Sequence, residues 1–484
     1  MHDVTRRKFF AESLIAAGAA AAATSIGPRT LFADEPKTTS AIDELQHAVL
    51  GCRIRGKVHV AEFGKIPGVN VAYVCDPDLQ LAEELAAVVE TKTGRKPQVV
   101  QDLRRIFDDK SVDTVSVASP NHWHALSAIW AMQAGKDVYV EKPVCHNIVE
   151  GRRMVDAARK LNKICQGGTQ NRSLGALMTA AEYIKAGKLG DVKLARTIIY
   201  GRRGSIGPKT TCEIPPKCDF NLWLGPATQQ PLTRKNMHYD WHWFWDTGNG
   251  ELGNNNIHMV DISRWLLGLE GLGDSVVSLG GRLGEPDCGE TPNTQITVHR
   301  FGPTTIIQEV RGLKSAPFSD KFKSGYVIYG TEGFIAEGAR FDPEGELVEK
   351  FESKNGANHF DNFIQAVRSR NRDELNAEIE KGHVSTGLCH VANISHRLGK
   401  PTPVADIQSA LSAADYGDEV RATFARLLEH VKENDVDLEK TPLTFGEHLA
   451  IDSAGEKFKN NDAANAMLGR EYRAPFTLPK ASEI

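Results

Sequence analysis

The chain has few cysteines for its length, no dense run of lysine and arginine, and only one apolar stretch of note, at its very start. Eight cysteines in 484 residues cannot make a disulfide framework. No CxxC pair and no Cys/His spacing of the zinc type occurs, so no metal site is expected. Cys52, Cys75, Cys145 and Cys165 lie in or beside apolar runs, where a buried thiol is the expected role. Cys212 and Cys218 bracket a Pro-rich loop, and a disulfide there is the alternative to two free thiols. A formal net charge of −4 with no basic cluster gives no electrostatic case for nucleic acid or an anionic membrane. What remains, 41% hydrophobic and 25% charged residues, is the balance of a soluble globular protein. Its length exceeds one ordinary core, which predicts two domains.

The apolar start has its own logic. Thr5-Arg6-Arg7-Lys8-Phe9-Phe10 carries the twin-arginine pattern, and an Ala-rich stretch runs from Leu14 to Ala23. Leu31-Phe32-Ala33 gives a small residue before the polar Asp34-Glu35-Pro36. A basic start, a short apolar region and a small-residue exit read as a signal peptide over residues 1–33, with a periplasmic or otherwise exported destination. A basic tail or an amphipathic helix is the plainer alternative.

From residue 34 to 168 short apolar runs alternate with helical ones. His47–Leu50 leads into a glycine, and Val69–Cys75 ends at Asp76 before a helix over Leu79–Thr93. Val112–Ala118 precedes a helix from Trp123 to Ala134, and Asp137–Val140 precedes one from Glu150 to Leu161. That rhythm predicts a doubly wound parallel α/β sheet of Rossmann type. Over residues 169–434 the strand candidates lengthen, as at Leu194–Tyr200, Thr304–Val310 and Gly325–Gly330, with helices at Phe360–Arg370 and Gly382–Arg397. This predicts an α+β domain on an open, mainly antiparallel sheet. Residues 435–484 are polar and are expected to wrap the surface.

Three segments could carry chemistry. The first is Gly51-Cys52-Arg53-Ile54-Arg55-Gly56 after a strand, a dinucleotide turn in which Arg53 stands at the second glycine position. Arg53 could crowd the pyrophosphate or pair with it. Asp76, 20 residues beyond Gly56, could bind the adenosine ribose and would repel the extra phosphate of NADP, so NAD is the expected cofactor. Its alternative role is to cap a helix from Asp76-Pro77-Asp78. The second is the pair of strand ends Ser119-Pro120-Asn121-His122-Trp123-His124 and Glu141-Lys142-Pro143, where open parallel sheets hold ligands. The third runs from Trp241 to Asp261. Its aromatics, Trp243 among them, suit the floor of a sugar pocket, and Asn254, Asn255 and His258 follow. Asn254 and His258 would share a helical face, and a histidine so placed could take a hydroxyl proton while hydride leaves the same carbon.

The combination resembles the glucose–fructose oxidoreductase / inositol dehydrogenase / rhizopine-catabolism (Gfo/Idh/MocA) family. The matching pieces are the turn at Gly51–Gly56, Ser119–His124, Glu141-Lys142-Pro143, Gly168-Thr169-Gln170 and Gly248–Asp261. Trp223-Leu224-Gly225-Pro226-Ala227 looks like a segment of the family's exported bacterial branch. The resemblance implies hydride transfer between NAD, or NADP, and a sugar or cyclitol carbon, in a homo-oligomer. It places Gly51, Arg53, Ile54, Gly56, Asp76, Ser119, Asn121, His122, His124, Glu141, Lys142 and Gln170 around the cofactor. Lys142 and His258 would be catalytic, with Asn254 where the family commonly has an aspartate, and Trp243, Asn254, Asn255 and His258 would hold substrate. Two other outcomes suit the same residues: glycoside cleavage through a transient keto-sugar with retained NAD, or sugar binding without turnover. The twin-arginine route carries folded proteins, which suits a chain that takes up its cofactor in the cytoplasm.

Overall fold

The computed structural model describes residues 44–284, 286–320, 322–353, 358–414 and 416–484. The expected signal peptide lies outside them.

Six short parallel strands form the first sheet: β1 (Leu45–Leu50), β2 (Val69–Cys75), β3 (Gln98–Val100), β4 (Thr114–Val117), β5 (Asp137–Val140) and β6 (Cys165–Gly167). Their order is β3-β2-β1-β4-β5-β6. Strands β4 and β5 are buried at every position, which is why they read as continuous apolar runs rather than alternating ones. Helices α1 (Ile54–Phe63), α2 (Leu79–Thr93), α3 (Asn121–Gln133) and α4 (Ile148–Lys160) cross between them. Asp78, not Asp76, caps α2 by accepting the Gln80 N–H, which frees Asp76 for another task. The chain reverses direction across the sheet between β1 and β4, and the strand tips there open a crevice, the usual ligand position in such sheets.

With β12 (Gly333–Ala336), β13 (Ala339–Phe341) and β14 (Leu347–Lys350) at one edge and β15 (Lys400–Pro401) at the other, the second sheet has the order β14-β13-β12-β11-β7-β10-β9-β8-β16-β15. Its centre is formed by β7 (Val192–Tyr200), β8 (Ser275–Gly281), β9 (Thr294–Phe301), β10 (Thr304–Arg311) and β11 (Gly325–Gly330). Only β7 and β10 pair in parallel, so the sheet is mixed but mainly antiparallel. One face packs on helices α5 (Ile257–Leu266) and α6 (Ile379–Leu398), through residues such as Ile306, Val310, Val260 and Leu388. The other face is roofed by α7 (Val404–Ala413) and α8 (Asp418–Glu433), whose Ile407, Phe424 and Leu427 bury Val277, Ile296 and Ile307. Glu309, 2% exposed, pins that roof: it accepts from Arg196, Arg426 and the Tyr200 hydroxyl at 2.9–3.0 Å.

The stretch after 435 does more than wrap the surface. β16 (Thr444–Phe445) and β17 (Leu449–Asp452) pair with β8, and the last residues run back over the first domain. The cysteines, all within the described residues, are free, Cys212 and Cys218 included. Among the described residues no helix is long and apolar enough to cross a membrane, and no group of three His, Cys, Asp or Glu is placed to hold a metal.

Candidate cofactor and active site

The turn after β1 is built for close approach. Gly51 has φ +89°, and a Cβ on it would stand 2.6 Å from the Ala118 carbonyl carbon and 2.7 Å from the Ser119 nitrogen. A Cβ on Gly56 would stand 1.9 Å from the Gly51 carbonyl oxygen. Gly56 thus seats α1 on the turn and does not itself line the cavity. The turn is fixed from the next strand: the Cys52 and Asp78 N–H groups donate to the Asp76 carboxylate at 2.8 and 2.9 Å. Burial pushes Asp76 up to about 6, against the pull of those two donors.

One cavity runs along the strand tips. Gly51, Arg53, Ile54, Asp76, Ser119 and Asn121 line it, as do His124, Glu141, Lys142 and Asn254. Arg53 does not plug it. The side chain is partly buried, its Nη1 is enclosed with no partner, and Asp240 and Asp76 supply the nearest opposing charge. An orphaned guanidinium donor beside a glycine cradle fits a pyrophosphate. A buried carboxylate one strand away, lining the same cavity, fits a ribose diol. The residues present fit a dinucleotide.

At the other tip Glu141 is 3% exposed and takes Arg55 on Oε1 through both Nε (2.8 Å) and Nη2 (2.5 Å), with His59 Nε2 at 3.1 Å. Burial opposes ionisation of Glu141, but Arg55 and His59 outweigh it and hold the carboxyl well below its usual range. His124 joins the two tips, one ring nitrogen 2.7 Å from the Ser119 carbonyl and the other 2.6 Å from that of Pro143. Together these fix the backbone from which Lys142 enters the cavity.

Lys142 Nζ reaches the Asn254 carbonyl oxygen at 2.5 Å. Residues Leu252–Asn256 form a π-helical turn rather than the expected α-helical one, and α5 begins only at Ile257. An inserted residue upsets the i→i−4 ladder, and the lysine takes the displaced carbonyl. Burial, with Arg55 and Arg203 nearby, lowers the Lys142 pKa against the pull of Glu141 and Glu251. His258 follows on α5, partly buried, its Nδ1 enclosed and unpartnered; it stands behind Asn254, which lines the cavity, and like Asn255 does not itself line it. Burial and the Lys142 charge push it down to about 3, so the imidazole stands neutral.

Other expected site residues lie elsewhere. His122 is buried with its ring nitrogens facing the Thr247 and Trp223 carbonyls, so it braces the loops instead of touching a cofactor. Gln170 starts a 3-10 turn after β6 and does not line the cavity. Trp243 is 5% exposed and packs beneath Arg203, and its carbonyl accepts the Glu290 and Thr291 N–H groups. The aromatic segment is therefore largely core: Trp241 packs with Phe220, Trp223 and Met237, and only Trp241 and His242 reach the cavity. Asn255 donates to Glu251, as does Asn254 at 3.4 Å, and Arg203 pairs with the same carboxylate at 2.8 Å. Glu251, Arg203 and Arg55 were not foreseen. Arg55 was legible in principle, two residues past Arg53 in the same turn.

Residues 45–169 match the oxidoreductase family's NAD-binding Rossmann fold, Gfo/Idh/MocA, and residues 205–426 match its C-terminal alpha/beta domain. Levoglucosan dehydrogenase of Pseudarthrobacter phenanthrenivorans is 26% identical over 318 residues, 61% of this chain and 73% of that protein. A glycosyl hydrolase family 109 protein of Shewanella pealeana is 30% identical over 143 residues, 29% of this chain and only 30% of that protein. Among solved structures, levoglucosan dehydrogenase in complex with NADH and levoglucosan superposes with TM-score 0.53 at 19% identity, covering 72% of this chain and 96% of that one. The WlbA dehydrogenase from Bordetella pertussis in complex with NADH and UDP-GlcNAcA gives 0.56 at 20%, covering 73% and 97%. At such identities the superpositions show the fold. The chain belongs to the Gfo/Idh/MocA oxidoreductase family, and its first domain is that family's NAD-binding Rossmann fold.

Proposed function

We propose that this protein oxidises a hydroxyl-bearing carbon of a sugar or cyclitol, with Lys142 and His258 as its catalytic pair. The observation that carries the reading is the meeting of Lys142 with the Asn254 carbonyl inside the cavity that the Gly51 turn lines. NAD, when bound, supplies the hydride acceptor. Arg53 and the turn amides would hold its pyrophosphate, and Asp76 its ribose. Lys142, an ammonium held in a partly desolvated site, orients the substrate oxygen and stabilises the charge that develops on it. Neutral His258 accepts the hydroxyl proton on its imidazole. Asn254 and Asn255, each with its amide nitrogen turned to Glu251, keep their side-chain oxygens free to accept sugar hydroxyls.

The test is mass and absorbance analysis of the nucleotide that copurifies with the full chain, followed by turnover on a panel of sugars. A protein that neither carries nor binds a nicotinamide nucleotide would overturn the reading.

A second reading, glycoside cleavage with NAD reduced and reoxidised in one cycle, is favoured by the likeness to family 109 glycosyl hydrolases. Oxidising a ring hydroxyl to a ketone acidifies the neighbouring C–H and permits elimination of the glycosidic substituent as its alcohol; water then adds to the unsaturated ketone, and hydride returns to the carbonyl carbon. Reducing sugar released with no net NADH supports it; stoichiometric NADH supports simple oxidation. The Thr5–Phe10 motif supports export by the twin-arginine route, which would separate the enzyme from the cytoplasmic NADH pool. Arg6→Lys with Arg7→Lys should then strand the protein in the cytoplasm.

A further inference from the structure

The cavity has a wall that neither the turn nor the strand tips explain. Phe476, 2% exposed, lines it. So do Leu103 and Arg104, which follow β3, and Trp123 and Trp130 of α3. β3 is the edge strand on one side of β1, while Lys142 follows β5 on the other side. With the glycine turn between, the Phe476 end is remote from the chemistry. It is also the aromatic end: the Phe476 ring stands 5.4 Å from that of Trp123 at 76°, with the Arg104 and Arg473 guanidinium groups 5.7 and 5.0 Å from its centre. A flat heteroaromatic base can pack against such a wall, and its distance from Lys142 sets it apart from the substrate end.

The segment that brings Phe476 here is anchored at both margins of the cleft. On the second-domain side Arg470 holds the Asp246 carbonyl at 2.7 Å, and Arg473 holds the Gly225 and Asn221 carbonyls at 3.1 and 2.8 Å. On the first-domain side the Tyr472 hydroxyl donates to Glu150 at 3.1 Å. Farther along, Lys160 Nζ and Gln133 donate to the Ala481 and Glu483 carbonyls at 2.8 and 3.0 Å. The whole segment lies beyond residue 426, where the match to the family's C-terminal domain ends.

We propose that residues 470–484 form a strap that retains the dinucleotide, with Phe476 as a binding residue for its adenine end. The proposal rests on the NAD reading above. An exchangeable coenzyme needs a cleft that opens, and a segment fastened to both margins holds it shut. Phe476 adds contact to the base, and Arg473 fastens the backbone without lining the cavity.

The test is the rate at which NAD bound to the purified full-length protein exchanges with excess isotopically labelled NAD. Phe476→Ala should accelerate exchange at least tenfold, and Arg473→Ala should accelerate it by a smaller factor. The thermal midpoint of the nucleotide-free protein reports whether each variant is folded. Should Phe476→Ala fail to fold, Phe476→Leu keeps most of the apolar volume without the ring and carries the same expectation with a smaller factor. Unchanged exchange in folded Phe476 and Arg473 variants, with NAD held by the parent protein, overturns the strap and leaves the NAD reading intact. A parent protein that binds no nicotinamide nucleotide overturns both.

Discussion

The strand tips of the first domain and the aromatic segment at 241–258 both looked, by residue type, like ligand-binding surface, yet only the first is built mainly for it. At the tips, Arg53, Asp76, Ser119 and Lys142 all line one cavity, because parallel strands end in register and deliver their next residues to the same edge. In the aromatic segment Trp241, Trp243 and Phe244 are 9%, 5% and 8% exposed, and Trp241 joins a small satellite core. Residue type alone does not distinguish a sugar platform from a core; topology does.

The sharpest test of that contrast removes the lysine. Lys142→Ala should lower turnover by ~10²–10⁴-fold, the usual range for losing a group that moves or stabilises a proton, while nucleotide still copurifies. His258→Ala should fall in the same range. Retained turnover in both variants would break the assignment of the tips as the chemical site.

Next in size is the ion pair behind the lysine. Arg55→Ala leaves Glu141 charged and enclosed, a change that typically costs about 3 kcal/mol, read as a lower denaturant midpoint. Arg55→Lys should recover part of it, since a point charge cannot reproduce the double contact on Oε1.

Asp76 offers a pH signature of smaller size. Its folded-state pKa of about 6 lies above the ordinary carboxylate value, so it adds stability at low pH that is lost as pH rises through about 6. Nucleotide affinity should run the other way, weakening below about 6, where the carboxylate protonates and one of its oxygens ceases to accept. Asp76→Asn should flatten both trends in denaturation and binding titrations across pH 4–8.

The smallest effect is expected from Trp243. Trp243→Phe should cost about 1–2 kcal/mol of stability, as removing part of a buried side chain does, with little change in KM. A large rise in KM at unchanged stability would return the segment to the sugar site.

The same contrast explains what was legible beforehand. Periodicity and spacing located β2, α2 and β5 to the residue, because each is a local pattern followed by a glycine or an acidic residue. The pairing of Arg55 with Glu141 spans 86 residues, and that of Tyr472 with Glu150 spans 322, distances at which no local pattern operates. The π turn before His258 was not foreseen, because side-chain spacing hardly distinguishes it from an ordinary helical turn. His122 and Gln170 were misplaced for a further reason: their motifs resemble binding segments, but neighbouring carbonyls or enclosure, not the cavity, claim their side chains.

The roof over the second sheet has a bearing on how copies of this chain can meet. Because α8 carries Arg426 onto Glu309, lifting α7 and α8 would cost that ion pair as well as uncover Ile296 and Ile307. That broad strand surface is covered by the chain's own helices, so it does not lie open to a second copy.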